Sequence, residues 1–159
     1  MILIRQSLYE AKTMSLSKKE PITFDDAGTS GIPLDMALSF TVPEGWKTEY
    51  MRCLSGTKKT IRINWPGYPP WNMAINVSDD TCNRNPVTKA KLTHNVAKAV
   101  KKFLDEHHNK RQCKPNEWAI GKNIKLSDIS LGMLSHVSEG SLQPTLYITE
   151  SALLRSPHE

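Results

Sequence analysis

One apolar stripe constrains this chain more than any other feature. Leu92, Val96, Ala99, Val100, Phe103 and Leu104 recur at i, i+4, i+7, i+8, i+11 and i+12, the spacing that puts side chains on one face of an α-helix. Lys91, Asn95, Lys98, Lys101, Lys102 and Asp105 fall on the other side. Asn85-Pro86 opens the segment and Pro115 forbids a return to helix, so one long helix is expected over residues 86–109. Such a helix cannot bury its own stripe and needs a second layer.

Strand patterns on both sides of the helix supply that layer. Ile61, Ile63 and Trp65 alternate with Arg62 and Asn64, and Met73, Ile75 and Val77 alternate with Ala74 and Asn76. Period-two alternation around Pro66-Gly67-Tyr68-Pro69-Pro70 reads as an antiparallel hairpin, whose prolines prevent either strand from continuing. Upstream, residues 22–24 and 36–42 read as strands, and 46–54 as a strand or a short helix. Downstream, residues 118–120, 124–126, 130–137 and 145–149 read as strands, with a turn at Glu139-Gly140-Ser141. The expectation is an α+β fold, a mainly antiparallel sheet packed against one long amphipathic helix. A length of 159 residues suits one domain, placed at 21–150, with 1–20 as a flexible amino-terminal appendage and 151–159 as a flexible tail.

The first residues lack the apolar core of a secretory signal, and no run approaches the roughly 18–20 apolar residues of a membrane span. Cys53, Cys82 and Cys113 are odd in number and widely spaced, which suits reduced thiols. The expected setting is intracellular, cytoplasmic or nuclear, with no membrane partner.

Charge is unevenly placed. The formal net charge is +5, but residues 84–114 hold nine basic and two acidic side chains, leaving the rest of the chain slightly acidic. Arg84, Lys89, Lys91, Lys98, Lys101, Lys102, Lys110 and Arg111 are therefore the candidate surface for nucleic acid or an acidic protein, with Lys114 beyond them. The plainer reading is a solvated helix face, since lysine favours helices and suits their C-terminal ends. Trp65, Tyr68 and Trp71 crowd the hairpin connection and are a candidate aromatic platform. Here the plainer reading is that they cap the core. A different use of the same tip, or of a sheet edge, is a protein-interaction or homodimerisation module.

Catalytic patterns are thin. Asp79-Asp80 follow a strand, where carboxylates can hold a divalent ion for a small metal-dependent hydrolase, but they also suit a turn. His107, His108, Cys82 and Cys113 lack a C-x-x-C pair, and adjacent histidines on a helix point about 100° apart. Ser141, His136 and Asp128 name a triad on paper without a G-x-S-x-G turn. Gly28-Thr29-Ser30-Gly31 lacks the lysine of a phosphate loop. No metal or cofactor is expected, and the leading expectation is a non-catalytic binding domain.

Trp65-Pro66-Gly67-Tyr68-Pro69, Thr88-Lys89-Ala90-Lys91-Leu92 with Val96-Ala97, Trp118-Ala119-Ile120-Gly121 and Gly140-Ser141-Leu142-Gln143-Pro144 occur in that order. Over residues 40–148 the chain resembles a family of uncharacterised intracellular proteins of mushroom-forming fungi, with Leu142 where that pattern has an aromatic residue. The resemblance implies a self-contained domain and supplies no catalytic residue.

Overall fold

A computed structural model of the chain describes residues 1–9, 19–25, 31–79, 83–112, 118–120 and 124–154. In chain order the elements are β1 (Ile2–Leu3), β2 (Ile22–Thr23), β3 (Ile32–Pro33), α1 (Leu34–Leu38), β4 (Lys58–Ile63), β5 (Trp71–Asn76), α2 (Lys89–His107), β6 (Ile129–Ser138), β7 (Ser141–Ile148) and α3 (Glu150–Leu154). The strands make one mixed sheet in the order β2-β6-β7-β4-β5, with β3 also on β6 and β1 also on β7.

Both hairpins follow from alternation and turn chemistry. β4 and β5 pair with Ile61 opposite Met73 and Ile63 opposite Trp71, so their apolar positions share a face. β6 and β7 meet through a turn at Glu139-Gly140. β4 joins β7 in parallel, Ile61 beside Leu142, whereas the other pairings are antiparallel. A parallel neighbour requires a crossover, and α2 lies in the connection between β4 and β7.

The stripe of α2 is buried as the spacing requires: Leu92, Val96, Ala99, Val100, Phe103 and Leu104 sit in one cluster with Ile61, Ile63, Leu131, Leu134, Leu142 and Leu146 of the strands. Each large aliphatic side chain so buried contributes about 1.5–3 kcal/mol. Thr93 is fully buried too, and its hydroxyl donates to the Lys89 carbonyl at 2.6 Å. The fold is thus α+β, with a sheet packed against one long helix.

Several local expectations need correction. Residues 36–42 do not form a strand. Pro33 precedes α1, whose Leu34 and Ala37 are fully buried at helical spacing; Leu34, Met36 and Leu38 alternate while Leu34, Ala37 and Leu38 follow a helical period, so both fitted over so short a run. α2 starts at Lys89 rather than Pro86, because Thr88 caps it, Oγ1 accepting from the Lys91 N–H at 3.2 Å, while Pro86 bridges to Ser78. Residues 118–120 and 124–126 are not strands. Trp118, Ile120 and Ile124 are buried, but the Trp118 carbonyl accepts from Trp65 Nε1 and the Ile120 N–H donates to the Tyr68 hydroxyl, so side chains replace a ladder.

Residues 2–6 of the expected amino-terminal appendage are docked on the sheet. β1 pairs Ile2 with Ile148, Ile4 is 2% exposed, and Gln6 donates to the Pro144 carbonyl while accepting from the Asn64 N–H. β7 offers that free edge because β4 covers only its first residues, at Ser141 and Leu142. At the other end, α3 buries Ala152. Among the described residues no helix is long and apolar enough to cross a membrane.

Candidate acidic-partner surface

At 100° per residue, Lys91, Lys98 and Lys102 leave α2 within roughly 40° of one another, at axial separations of about 10 and 6 Å. All three are exposed, and none has an ion pair among the described residues. Lys101 stands to one side of the stripe and approaches Asp105 at 3.9 Å, with both side chains more than half exposed, so the pair adds little stability.

The remaining basic candidates separate from this group. Lys89 is half-buried, its ammonium 4.6 Å from the Trp46 ring centre and 5.4 Å from that of Phe24, so it covers the core edge and is not part of the stripe. Arg84 is exposed on the approach to the helix with φ of +44°. Lys110 and Arg111, beyond the helix, border a hollow of about 440 Å³ against Pro69, Pro70 and Trp71. Lys114 lies outside the described residues.

Lys58, which charge counting along the helix could not reveal, joins the stripe from the sheet. It pairs with Asn76 at the edge of the β4–β5 hairpin and shares a hollow with Met73, Asn76, Asn95 and Lys98. Lys98 also borders a more apolar hollow of about 540 Å³ lined by Leu38, Met73, His94, Lys101, Lys102 and Asp105. A third hollow, of about 450 Å³, lies between Lys98, Lys91, Asn95, Asn76, Tyr50 and Asp79. The hairpin register was the signal that would have brought Lys58 to Lys98.

Two exposed aromatics stand beside Lys91. Phe40 ends α1: its N–H donates to the Ala37 carbonyl and the Thr41 N–H to that of Met36, the pairing of a Schellman end, in which position C′ is left-handed and usually glycine. Phe40 holds that position at φ +58°, its ring 4.2 Å from His94 at 11° and 5.8 Å from the Lys91 ammonium. His94 donates from Nδ1 to the Leu38 carbonyl at 2.8 Å, and burial, partly opposed by that bond and assisted by Lys91 and Lys98, holds its pKa below the ordinary value. Tyr50 is 49% exposed, yet its backbone is pinned between Met51 N–H to Val87 carbonyl and Lys89 N–H to Glu49 carbonyl.

The hairpin aromatics do not form an open platform. Trp65 is 1% and Tyr68 8% exposed, and burial pushes the Tyr68 phenol up despite its bond from Ile120. Trp71 is half-buried, edge-on to Phe103 and donating to Glu106 at 2.7 Å. The loop caps the core.

The enzyme candidates are not brought together. Ser141 is buried and accepts from Arg62 Nε, and Asp128 accepts from the Lys125 N–H at the opposite end of β6 from His136, roughly 25 Å along the strand. Asp79 closes a loop, Oδ1 accepting from the Asn85 N–H, while Asp80, Cys82 and Cys113 lie outside the described residues, as do Gly28, Thr29 and Ser30 of the glycine stretch. His107 is buried against Tyr68 and donates to the Phe103 carbonyl, whereas His108 is half-buried. Among the described residues no group of three potential ligands is placed to hold a metal ion.

A buried lysine escaped the sequence. Lys59 shares the core face of β4 with Ile61 and Ile63, 6% exposed, and donates to the Glu139 carbonyl at 2.6 Å; burial and then Lys19 lower its pKa, against a smaller opposing effect of Glu139. His136 Nε2 is buried and accepts no hydrogen bond among the described residues, and burial, with Lys19 and Lys59, keeps this imidazole neutral to lower pH. No protein-family model, curated protein or solved structure matches the chain.

Proposed function

We propose that this protein is a non-catalytic binding domain that engages nucleic acid through the exposed lysine face of α2. The observation that carries the reading is the alignment of Lys91, Lys98 and Lys102 on one exposed stripe, with Lys101 beside it and Lys58 joining from β4. Asp105 shares this face and meets Lys101 at 3.9 Å, but four lysines against one carboxylate leave it net positive, which fits a row of phosphates. Each phosphate neutralised would release counterions, so about three to five contacts give a slope of log K against log salt of roughly −2 to −4.

Fluorescence anisotropy with labelled oligonucleotides from low to moderate salt tests this. Steep weakening with salt is expected, and Lys98→Glu/Lys102→Glu should weaken binding at least about tenfold. Binding unchanged by either manipulation would overturn the proposal. A second reading, an acidic polypeptide as partner, draws on the apolar hollow of Leu38, Met73 and His94 beside Lys98, which suits an apolar side chain flanked by carboxylates.

A further inference from the structure

We infer that Tyr50 and Phe40, standing on opposite sides of Lys91, form a stacking site for unpaired bases, making single-stranded nucleic acid the preferred partner of the lysine face. This deepens the nucleic-acid reading and rests on it. His94 and Asn95 leave the helix on opposite flanks of Lys91, by roughly 60° and 40°. Phe40 lies on the His94 flank, ring on ring, and Tyr50 shares the hollow on the Asn95 flank. The surface therefore interleaves aromatic and cationic side chains.

Stacking needs an aromatic face that is both accessible and held in place, because a side chain that must be ordered on binding loses part of what it gains. Tyr50 is 49% exposed and rises from a backbone fixed on both sides by hydrogen bonds of Met51 and Glu49. Phe40 is 40% exposed and is held by its Schellman position and its seat on His94. Duplex bases offer no free face to such groups, whereas an unpaired base does.

The Tyr50 hollow, about 450 Å³, has the polarity that a nucleotide requires. Lys91 and Lys98 border it on the helix side and suit a phosphate. Asp79, whose Oδ1 accepts from the Asn85 N–H, borders it too and turns a phosphate away from its own end. Asn95 spends its amide on the Asn76 carbonyl at 3.0 Å, leaving its side-chain oxygen and the exposed Asn76 amide for a base edge.

The full chain should be titrated with a labelled 12-nucleotide oligothymidylate and with a 12-base-pair duplex at one salt concentration. The single strand should bind at least about tenfold more tightly. Tyr50→Ala and Tyr50→Leu should each weaken single-strand binding by about five- to twentyfold, with the salt slope unchanged because a phenol carries no counterion, and Tyr50→Trp should retain it. Equal affinity for strand and duplex, or Tyr50→Ala and Tyr50→Leu binding as wild type does, overturns the inference while leaving the lysine face intact. No binding of either probe, or binding indifferent to Lys98→Glu/Lys102→Glu, overturns the proposed function and this inference with it.

Discussion

Two sets of aromatic residues occupy opposite roles in this molecule. Trp65, Tyr68 and Trp71 crowd one proline-rich connection, whereas Phe40 and Tyr50 are isolated in the chain. The crowded set is turned inward, with Trp65 and Tyr68 spending their polar atoms on Trp118 and Ile120; the isolated set is exposed beside Lys91. Crowding along a chain is thus a poor guide to availability. What matters is whether the polar edge of the ring already has a partner and whether the backbone beneath it is fixed.

The largest expected difference between the sets is in stability. Trp65→Ala removes a buried indole and its donor to the Trp118 carbonyl, and should cost about 3–5 kcal/mol in urea unfolding. That is a large part of a total of about 5–15 kcal/mol. Tyr50→Ala should stay within about 0.5 kcal/mol of wild type. Similar losses at both positions would erase the distinction.

Phe40 sharpens the comparison because its site is built for glycine. Phe40→Gly should relieve the left-handed backbone by about 1 kcal/mol while losing a ring contact worth about 0.5–1.5 kcal/mol. The net change in unfolding free energy should be less than about 1 kcal/mol. A loss above about 2 kcal/mol would make Phe40 a core residue rather than a surface group.

The smallest effect concerns pH. His94 and His136 are both held below the ordinary imidazole value of 6.5 by burial, so below that value the unfolded chain takes up protons that the folded one resists. Stability present above 6.5 should be lost as pH falls toward the depressed folded values. The urea midpoint should be lower at pH 5.5 than at pH 7.5, and equal midpoints would contradict the burial of these two rings.

The α2 stripe and the β4–β5 hairpin were legible in the sequence because each sustains one period over enough residues for local pattern and tertiary burial to agree. α1 was not, since its five residues satisfy two periods at once and the decision is made by Leu34 and Ala37 packing inward. β1 was not, because two residues carry no period and their place depends on an edge of β7 that β4 leaves free. Of the surface, the lysines of α2 could be read from their spacing. Lys58, Tyr50 and Phe40 reach the same face from β4, from the segment before it and from the end of α1, and only long-range pairing brings them there. Lys59 shows the reverse: a lysine at an apolar position of an alternating strand, buried because the Glu139 carbonyl and Ser55 hydroxyl are there to receive its ammonium.

The most direct measurement is an NMR titration of ¹⁵N-labelled protein with the 12-nucleotide single strand. Amide shifts concentrated at Tyr50, Lys91, Asn95, Lys98 and Lys102, with Tyr68 and Trp71 unmoved, are expected. Shifts centred on residues 66–71, with the lysine face silent, would contradict the account.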